Sequence, residues 1–269
     1  MPQAPKDLQS MSSLLQIVSD LRGPSGCPWD KEQDHLSLAP YAIEEVAELA
    51  EALESRNDTQ TKEELGDVLF QVALHCQLAQ ERSAFTFQDV LEALNEKMIR
   101  RHPHVFSNVI ATSTEEVWKN WDEIKKKEKA DKKQNSKILD VPVALPALQR
   151  SAKIGQRTQK LKFDWDNAEQ VLEKVREELI ELEEAIDEQS TKALKHELGD
   201  LLFSIAQLAR HLGFDPEQSL RDCNRRFEHR FETMIRECER QGLVWGDLNN
   251  HQKEDLWSEA KRQTASSEA

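Results

Sequence analysis

Carboxylates at helical spacing are the first chemistry this chain offers. Glu44-Glu45-Val46-Ala47-Glu48 is followed by Glu64-Leu65-Gly66-Asp67-Val68-Leu69-Phe70. Residues three apart share a helix face, so Glu45 projects with Glu48, and Glu64 with Asp67. The pattern returns as Glu177-Glu178-Leu179-Ile180-Glu181, then Glu197-Leu198-Gly199-Asp200-Leu201-Leu202-Phe203. The interval from Glu48 to Glu64 is 16 residues, and so is that from Glu181 to Glu197. One acidic pair in a chain with 50 acidic residues is an ordinary solvated helix face. A copy with its own followers is not. Asn95, Lys97 and Arg101 match Asn224, Arg226 and Arg230 in spacing, and Trp121 with Lys125 matches Trp257 with Lys261. Trp29-Asp30 and Trp165-Asp166 precede the two copies in the same order.

If the two helices of a module pack antiparallel, their carboxylates converge. Val171, Val175, Leu182 and Ala185 surround Glu178 on the wheel, and Leu38, Leu49 and Ala52 surround Glu45. The acids are therefore expected on the packing side, where an unpaired carboxylate costs several kcal/mol. Such a set calls for cations. An all-oxygen site suits a hard ion, Mg²⁺ or Mn²⁺. Di-iron bundles would need Glu-x-x-His, which neither module has. His196 reads as a surface histidine, because Glu63 stands in its place in the first module. Mg²⁺ held by few carboxylates keeps positions open for water and phosphate oxygens. Arg226, Arg230 and Lys261 suit a phosphate chain, with salt bridges to the abundant acids as their alternative use. Trp257 suits either a stacked base or a packed core. Gly66 and Gly199 read as points of close approach to a helix or ligand.

The elements that position these groups are helices throughout. Expected spans are about 8–21, then a loop Arg22–Asp30, a helix opened by Pro40 to about 53, and helices near 61–81 and 87–101. Pro103 closes the last of these. Ser113 and Glu116 read as a capping box, as do Asp166 and Glu169 ahead of a helix to about 187. Helices near 192–212 and 216–240 follow, the latter capped by Asp215 before Pro216. Asn250 is expected to cap a final helix, and the tail from Thr264 is expected to be disordered. The basic run 125–137 and the prolines after it mark a boundary. The domains read as 1–130, a linker 131–145, a second module 146–264 and a tail 265–269. The fold class is all-α, a tandem repeat of helical modules.

A net charge of −14 argues against duplex nucleic acid and anionic membranes as partners. It does not argue against a small polyanion, since bound cations invert local charge. Cys27, Cys76, Cys223 and Cys238 form no metal spacing and read as reduced thiols. No secretory leader or membrane-length apolar run is found, so a cytoplasmic protein is expected.

The acidic motifs, with Gly26-Cys27-Pro28-Trp29-Asp30, Arg100-Arg101-His102-Pro103-His104-Val105-Phe106 and Leu208-Ala209-Arg210-His211-Leu212-Gly213, resemble the MazG nucleotide pyrophosphohydrolase family. The likeness is to its tandem-domain bacterial members and spans almost the whole chain. That family is related to the all-α dimeric dUTPases and phosphoribosyl-ATP pyrophosphatases. The resemblance implies hydrolysis of nucleoside triphosphates to monophosphate and pyrophosphate with Mg²⁺, broad base tolerance and a nucleotide-pool house-cleaning role. It also implies a homodimer whose four-helix bundles assemble across subunits. By position it implies Glu178, Glu181, Glu197 and Asp200 as metal ligands, with Glu45, Glu48, Glu64 and Asp67 their first-module equivalents. Lys174, Arg226, Arg230, Trp257 and Lys261 would contact nucleotide, and Lys97, Arg101, Trp121 and Lys125 are the weaker first-module set. A metal-activated water would attack the α-phosphorus, with no single protein base assigned. The rival is a helical scaffold with acidic faces and no catalysis.

Overall fold

A computed structural model describes residues 2–131 and 138–265. Twelve α-helices and no strand occur among the described residues. The chain divides into two compact units, 1–134 and 135–269.

In the first unit, α1 (Met11–Arg22) and the short α2 (Pro28–Glu32) lead into α3 (His35–Glu54) and α4 (Asp58–Glu81). These two long helices pack as a hairpin, and α1 lies against α4. Val18, Leu38, Ala73, Leu74 and Leu78 form the buried core between them. The hairpin turn places Arg56 at φ 55°, and Asn57 then caps α4 by accepting from the Thr59 and Gln60 amides. Downstream, α5 (Phe87–Arg101), α6 (Pro103–Phe106) and α7 (Thr114–Asp131) pack around α5, which touches α4.

The second unit repeats this plan. α8 (Ala147–Lys160) packs on α10 (Thr191–His211), and α9 (Ala168–Asp187) pairs with α10 as a hairpin. Its turn places Gln189 at φ 53°, the counterpart of Arg56. A second hairpin joins α11 (Pro216–Arg240) to α12 (Asn250–Ala265) over Met234, Cys238, Leu248, Leu256 and Ala260.

Several sequence expectations need correction. Pro40 does not open its helix. Asp34 does, in a capping box with Ser37, and Pro40 lies within α3. The first helix starts at Met11, where Ser10 supplies a cap oxygen. The 22–30 loop and the His102–His104 stop each carry a short helix begun by proline, Pro28 and Pro103. The α9 cap is Asn167, not Asp166, and it pairs with Gln170 instead of Glu169. Glu116 reaches back to the Thr112 amide, not to Ser113, so the expected box is only half formed. The α12 cap is Asn249, which exchanges bonds with Gln252. The last three are one-residue slips among neighbouring Asp, Asn, Ser and Thr, any of which can cap.

Helix α8 is absent from the sequence expectation and is well formed. Its Gly155 is essential to its place: a Cβ there would sit 1.9 Å from Gln207 Oε1 on α10. Thr264 is not in a disordered tail. It is 2% exposed, and its hydroxyl bonds the Ala260 carbonyl inside α12. Residues 266–269 and 132–137, parts of the expected tail and linker, lie outside the described residues.

Candidate active sites

Each antiparallel hairpin brings its acids together. In the second unit, oxygens of Glu178, Glu181 and Glu197 lie within 4.8 Å of one another. Asp200 joins Glu197 in a neighbouring group of the same spread, which also includes His196. The imidazole Nδ1 of His196 is 3.0 Å from Asp200 Oδ2 and 3.3 Å from Glu197 Oε1. This histidine is exposed as expected, yet it faces the acids: its offset of four from Asp200 shares a helix face as well as an offset of three would. In the first unit, Glu45, Glu48 and Glu64 form the matching group. Asp67 stands outside it but still acts on Glu64 by its charge.

Burial is less uniform than the wheel suggests. Glu178 is buried; Glu45, Glu64, Glu181, Glu197 and Asp200 are half-buried; Glu48 and Asp67 are exposed. Beside the acids lie exposed apolar residues, among them Ile43, Val46 and Leu65 in one unit and Leu179, Ile180 and Leu198 in the other. Gly66 and Gly199 do not serve close packing among the described residues, because a Cβ at either would meet nothing there within 4 Å.

The electrostatics show the strain of gathering these groups. Desolvation, then Glu178, raises the Glu181 carboxyl above its ordinary range, with Lys174 opposing and Glu177 and Glu197 adding to the rise. Glu64 is raised by desolvation and by Glu48, Asp67, Glu63 and Glu45. Glu178 Oε1 meets the Lys174 ammonium at 2.9 Å, while its buried Oε2 has no partner. An orphaned buried carboxylate oxygen is costly, and a cation is its natural complement. The oxygen donors of Glu178, Glu181, Glu197 and Asp200 fit a hard divalent ion.

Lys174 lies on α9 with the acids, and the other candidate cations sit on α5 and α7 in the first unit and on α11 and α12 in the second. Lys97 is half-buried on α5. Arg101 donates to Glu128 at 2.6 Å, and that carboxyl is held at about 2 by Arg101 and then Arg100, against its partial desolvation. Lys125 lies 4.0 Å over the Trp121 ring. In the second unit Arg230 donates to Thr264 at 3.3 Å, and Lys261 lies 5.6 Å from the Trp257 ring. Arg226 is exposed on α11. The Trp257 ring packs 5.1 Å from Phe227 and against the α11–α12 core.

Two features escaped the sequence. Gln71 is buried on α4, donates to Glu45 at 3.4 Å and leaves its own Oε1 unpartnered. Its signal was a polar residue amid Val68, Leu69, Phe70 and Val72. A cavity of about 490 Å³ lies between α8, the 161–167 loop and α10. Phe163, Trp165, Phe203 and Gln207 line it. Phe203 is one helical turn beyond Asp200 on α10, and none of the four acids is among the residues that line the cavity.

A model of the MazG nucleotide pyrophosphohydrolase domain matches the chain twice, at residues 33–106 and 166–235. The chain belongs to the MazG nucleotide pyrophosphohydrolase family. Both matched stretches contain their acidic quartet. Over 248 residues the chain is 47% identical to the Thermotoga maritima nucleoside triphosphate pyrophosphohydrolase/pyrophosphatase MazG, covering 92% of this chain and 94% of that one. It is 40% identical over 261 residues to the Escherichia coli K12 nucleoside triphosphate pyrophosphohydrolase, covering 95% and 98%. The Bacillus subtilis protein YabN is 41% identical over 251 residues, which are 93% of this chain but 51% of YabN. No helix among the described residues is long and apolar enough to cross a membrane.

Proposed function

We propose that this MazG-family chain is a nucleoside triphosphate pyrophosphohydrolase that uses Mg²⁺ or Mn²⁺ held by Glu178, Glu181, Glu197 and Asp200. The observation that carries the site is the buried, unpartnered Oε2 of Glu178 amid converging carboxylates. When bound, the ion supplies Lewis-acid chemistry: it activates water and offsets phosphate charge. The protein's own part is to fix those oxygens on two rigid helices and to bring cations to the phosphates. Lys174, Arg226, Arg230 and Lys261 are the proposed cations, and Trp257 flanks them. The Phe163–Trp165–Phe203 cavity suits the planar base, and apolar ring contacts without a saturated polar code favour broad base tolerance.

The second module is the proposed seat of turnover, with 1–130 and 146–264 as the working modules. Lys174 precedes Glu178 by four residues, whereas Tyr41 holds that position before Glu45.

A homodimer completes the reading. The exposed Ile43, Val46, Leu65, Leu179, Ile180 and Leu198 suit the same hairpins of a second copy, which would close each pair into a four-helix bundle. The proposed role is cytoplasmic control of the nucleotide pool.

The test is a pair of variants assayed for pyrophosphate release with Mg²⁺ and several nucleoside triphosphates. Asp200→Asn should abolish turnover, and Asp67→Asn should leave most of it. The reverse pattern would place the reaction in the first module. Pyrophosphate release untouched by both would remove the acids from the reaction. Labelled oxygen from water should enter the monophosphate, since its appearance in pyrophosphate contradicts attack at the α-phosphorus.

A further inference from the structure

The two acid sets differ in what stands against their most buried carboxylate. In the second, the Lys174 ammonium is 2.9 Å from Glu178 Oε1 and 2.7 Å from Glu177 Oε1. The Glu178 side chain is only 7% exposed, so this ion pair is shielded on one side. In the first, the corresponding residue is Tyr41, which packs edge-on to Trp29 at 5.7 Å. The partner of Glu45 is the neutral amide of Gln71. The charges acting on Glu64 are those of Glu48, Asp67, Glu63 and Glu45, all of one sign.

The ammonium holds one oxygen of Glu178, Oε1, beside the unpartnered Oε2, and so competes with a divalent ion for the charge of the same carboxylate. It also lowers the negative potential that would draw in a divalent ion. Glu178 cannot lose it without a substitute, because a buried unpaired carboxylate is costly. The ammonium in turn needs a new anion when it leaves. A polyphosphate arriving with its divalent ion supplies both at once.

We propose that Lys174 is a resident counter-ion that makes the second site load its metal together with a polyphosphate, while the first site takes a divalent ion alone. The Lys174 ammonium turns from Glu178 Oε1 to a phosphate oxygen as the ion takes over the charge of that carboxylate. The first site, with no ammonium at the position of Tyr41, has no such requirement. This inference rests on the assignment of the acids as metal sites.

The experiment uses the full chain with the first site disabled by Glu48→Gln, an exposed position. Binding of Mn²⁺ is read from the electron paramagnetic resonance signal of the free ion, with and without a nucleoside triphosphate bearing a non-hydrolysable α,β bridge. The analogue should tighten Mn²⁺ binding at least about tenfold, the scale of one nearby unit charge. Lys174→Met should tighten binding of Mn²⁺ alone by about as much and shrink the effect of the analogue. Lys174→Gln, which keeps a donor for Glu178 without the charge, should do the same if Met disturbs the fold. Lys174→Arg should behave as the parent. The proposal is overturned if both neutral variants bind Mn²⁺ alone no tighter than the parent while Glu181→Gln still weakens binding. If Glu181→Gln also leaves Mn²⁺ binding unchanged, the assignment of the acids fails and takes this inference with it.

Discussion

Removing the Asp164 carboxylate should destabilise the second unit strongly, although Asp164 belongs to neither acid quartet. It accepts from Arg210 Nη1 at 3.0 Å and Nη2 at 2.5 Å, and from His211 Nε2 at 3.1 Å. The three side chains are 9%, 8% and 10% exposed. Breaking a buried pair from one side costs about 3–5 kcal/mol, because the remaining charge is stranded. Arg210 keeps one bond, from Nε to Gln207 Oε1 at 2.8 Å, so the lower end applies to Asp164→Ala, about 3 kcal/mol. For a unit of 135 residues that corresponds to a fall in melting temperature of roughly 10 °C. The pH dependence has a definite sign. Burial raises the Asp164 carboxyl, but the bonds from Arg210 and His211 outweigh it and hold the group below its ordinary value. Its contribution is therefore complete above the ordinary carboxylate range and is lost as pH falls through the depressed folded value. Urea unfolding of wild type and Asp164→Ala from pH 7 down to pH 3 tests this. A difference under about 1 kcal/mol at pH 7, or one that grows with acid, would refute the reasoning.

Other consequences are open to direct measurement. Gly155→Ala should cost about 1–3 kcal/mol in chemical unfolding, since its Cβ meets Gln207 Oε1 at 1.9 Å and Gln207 is fixed by its bond to the Ser151 carbonyl. A neutral result would mean α8 can shift away from α10. Gly199→Ala should gain about 0.5–1 kcal/mol of helix stability, because nothing among the described residues beyond its own helical turn lies within 4 Å of the new methyl. It should nevertheless lower kcat/KM if ligand or a second copy approaches that bare backbone; unchanged turnover would exclude such an approach. Mg²⁺ should raise the melting temperature more at pH 8 than at pH 5. Glu64 and Glu181 have raised folded values, so their penalty is absent below the ordinary carboxylate range and grows as pH rises through the raised ones. Equal shifts at both pH values in differential scanning fluorimetry would sink that account.

Much of the helical plan was legible because its signals are local. The long helices are marked by apolar periodicity, and the 16-residue interval foretells a hairpin. Caps were less legible, since Asp166 and Asn167 are chemically equivalent claimants and only the backbone path chooses between them. Helix α8 went unseen although Leu148, Ala152 and Gly155 recur at helical spacing, because Gly155 reads as a breaker until its contact with Gln207, 52 residues away in sequence, is known.

By itself the sequence determined the duplicated acid set, its cation followers and the family motifs, because helical spacing puts Glu178 with Glu181 and Glu197 with Asp200 whatever surrounds them. Only tertiary structure decided how these acids differ. Packing of α9 on α10 buried Glu178 and left one of its oxygens orphaned, while Glu48 stayed exposed. Tertiary structure also turned Tyr41, which stands where Lys174 stands in the other module, to the Trp29 ring. Spacing fixes which residues share a helix face; burial and charge depend on what that face meets, and that is a property of the folded chain.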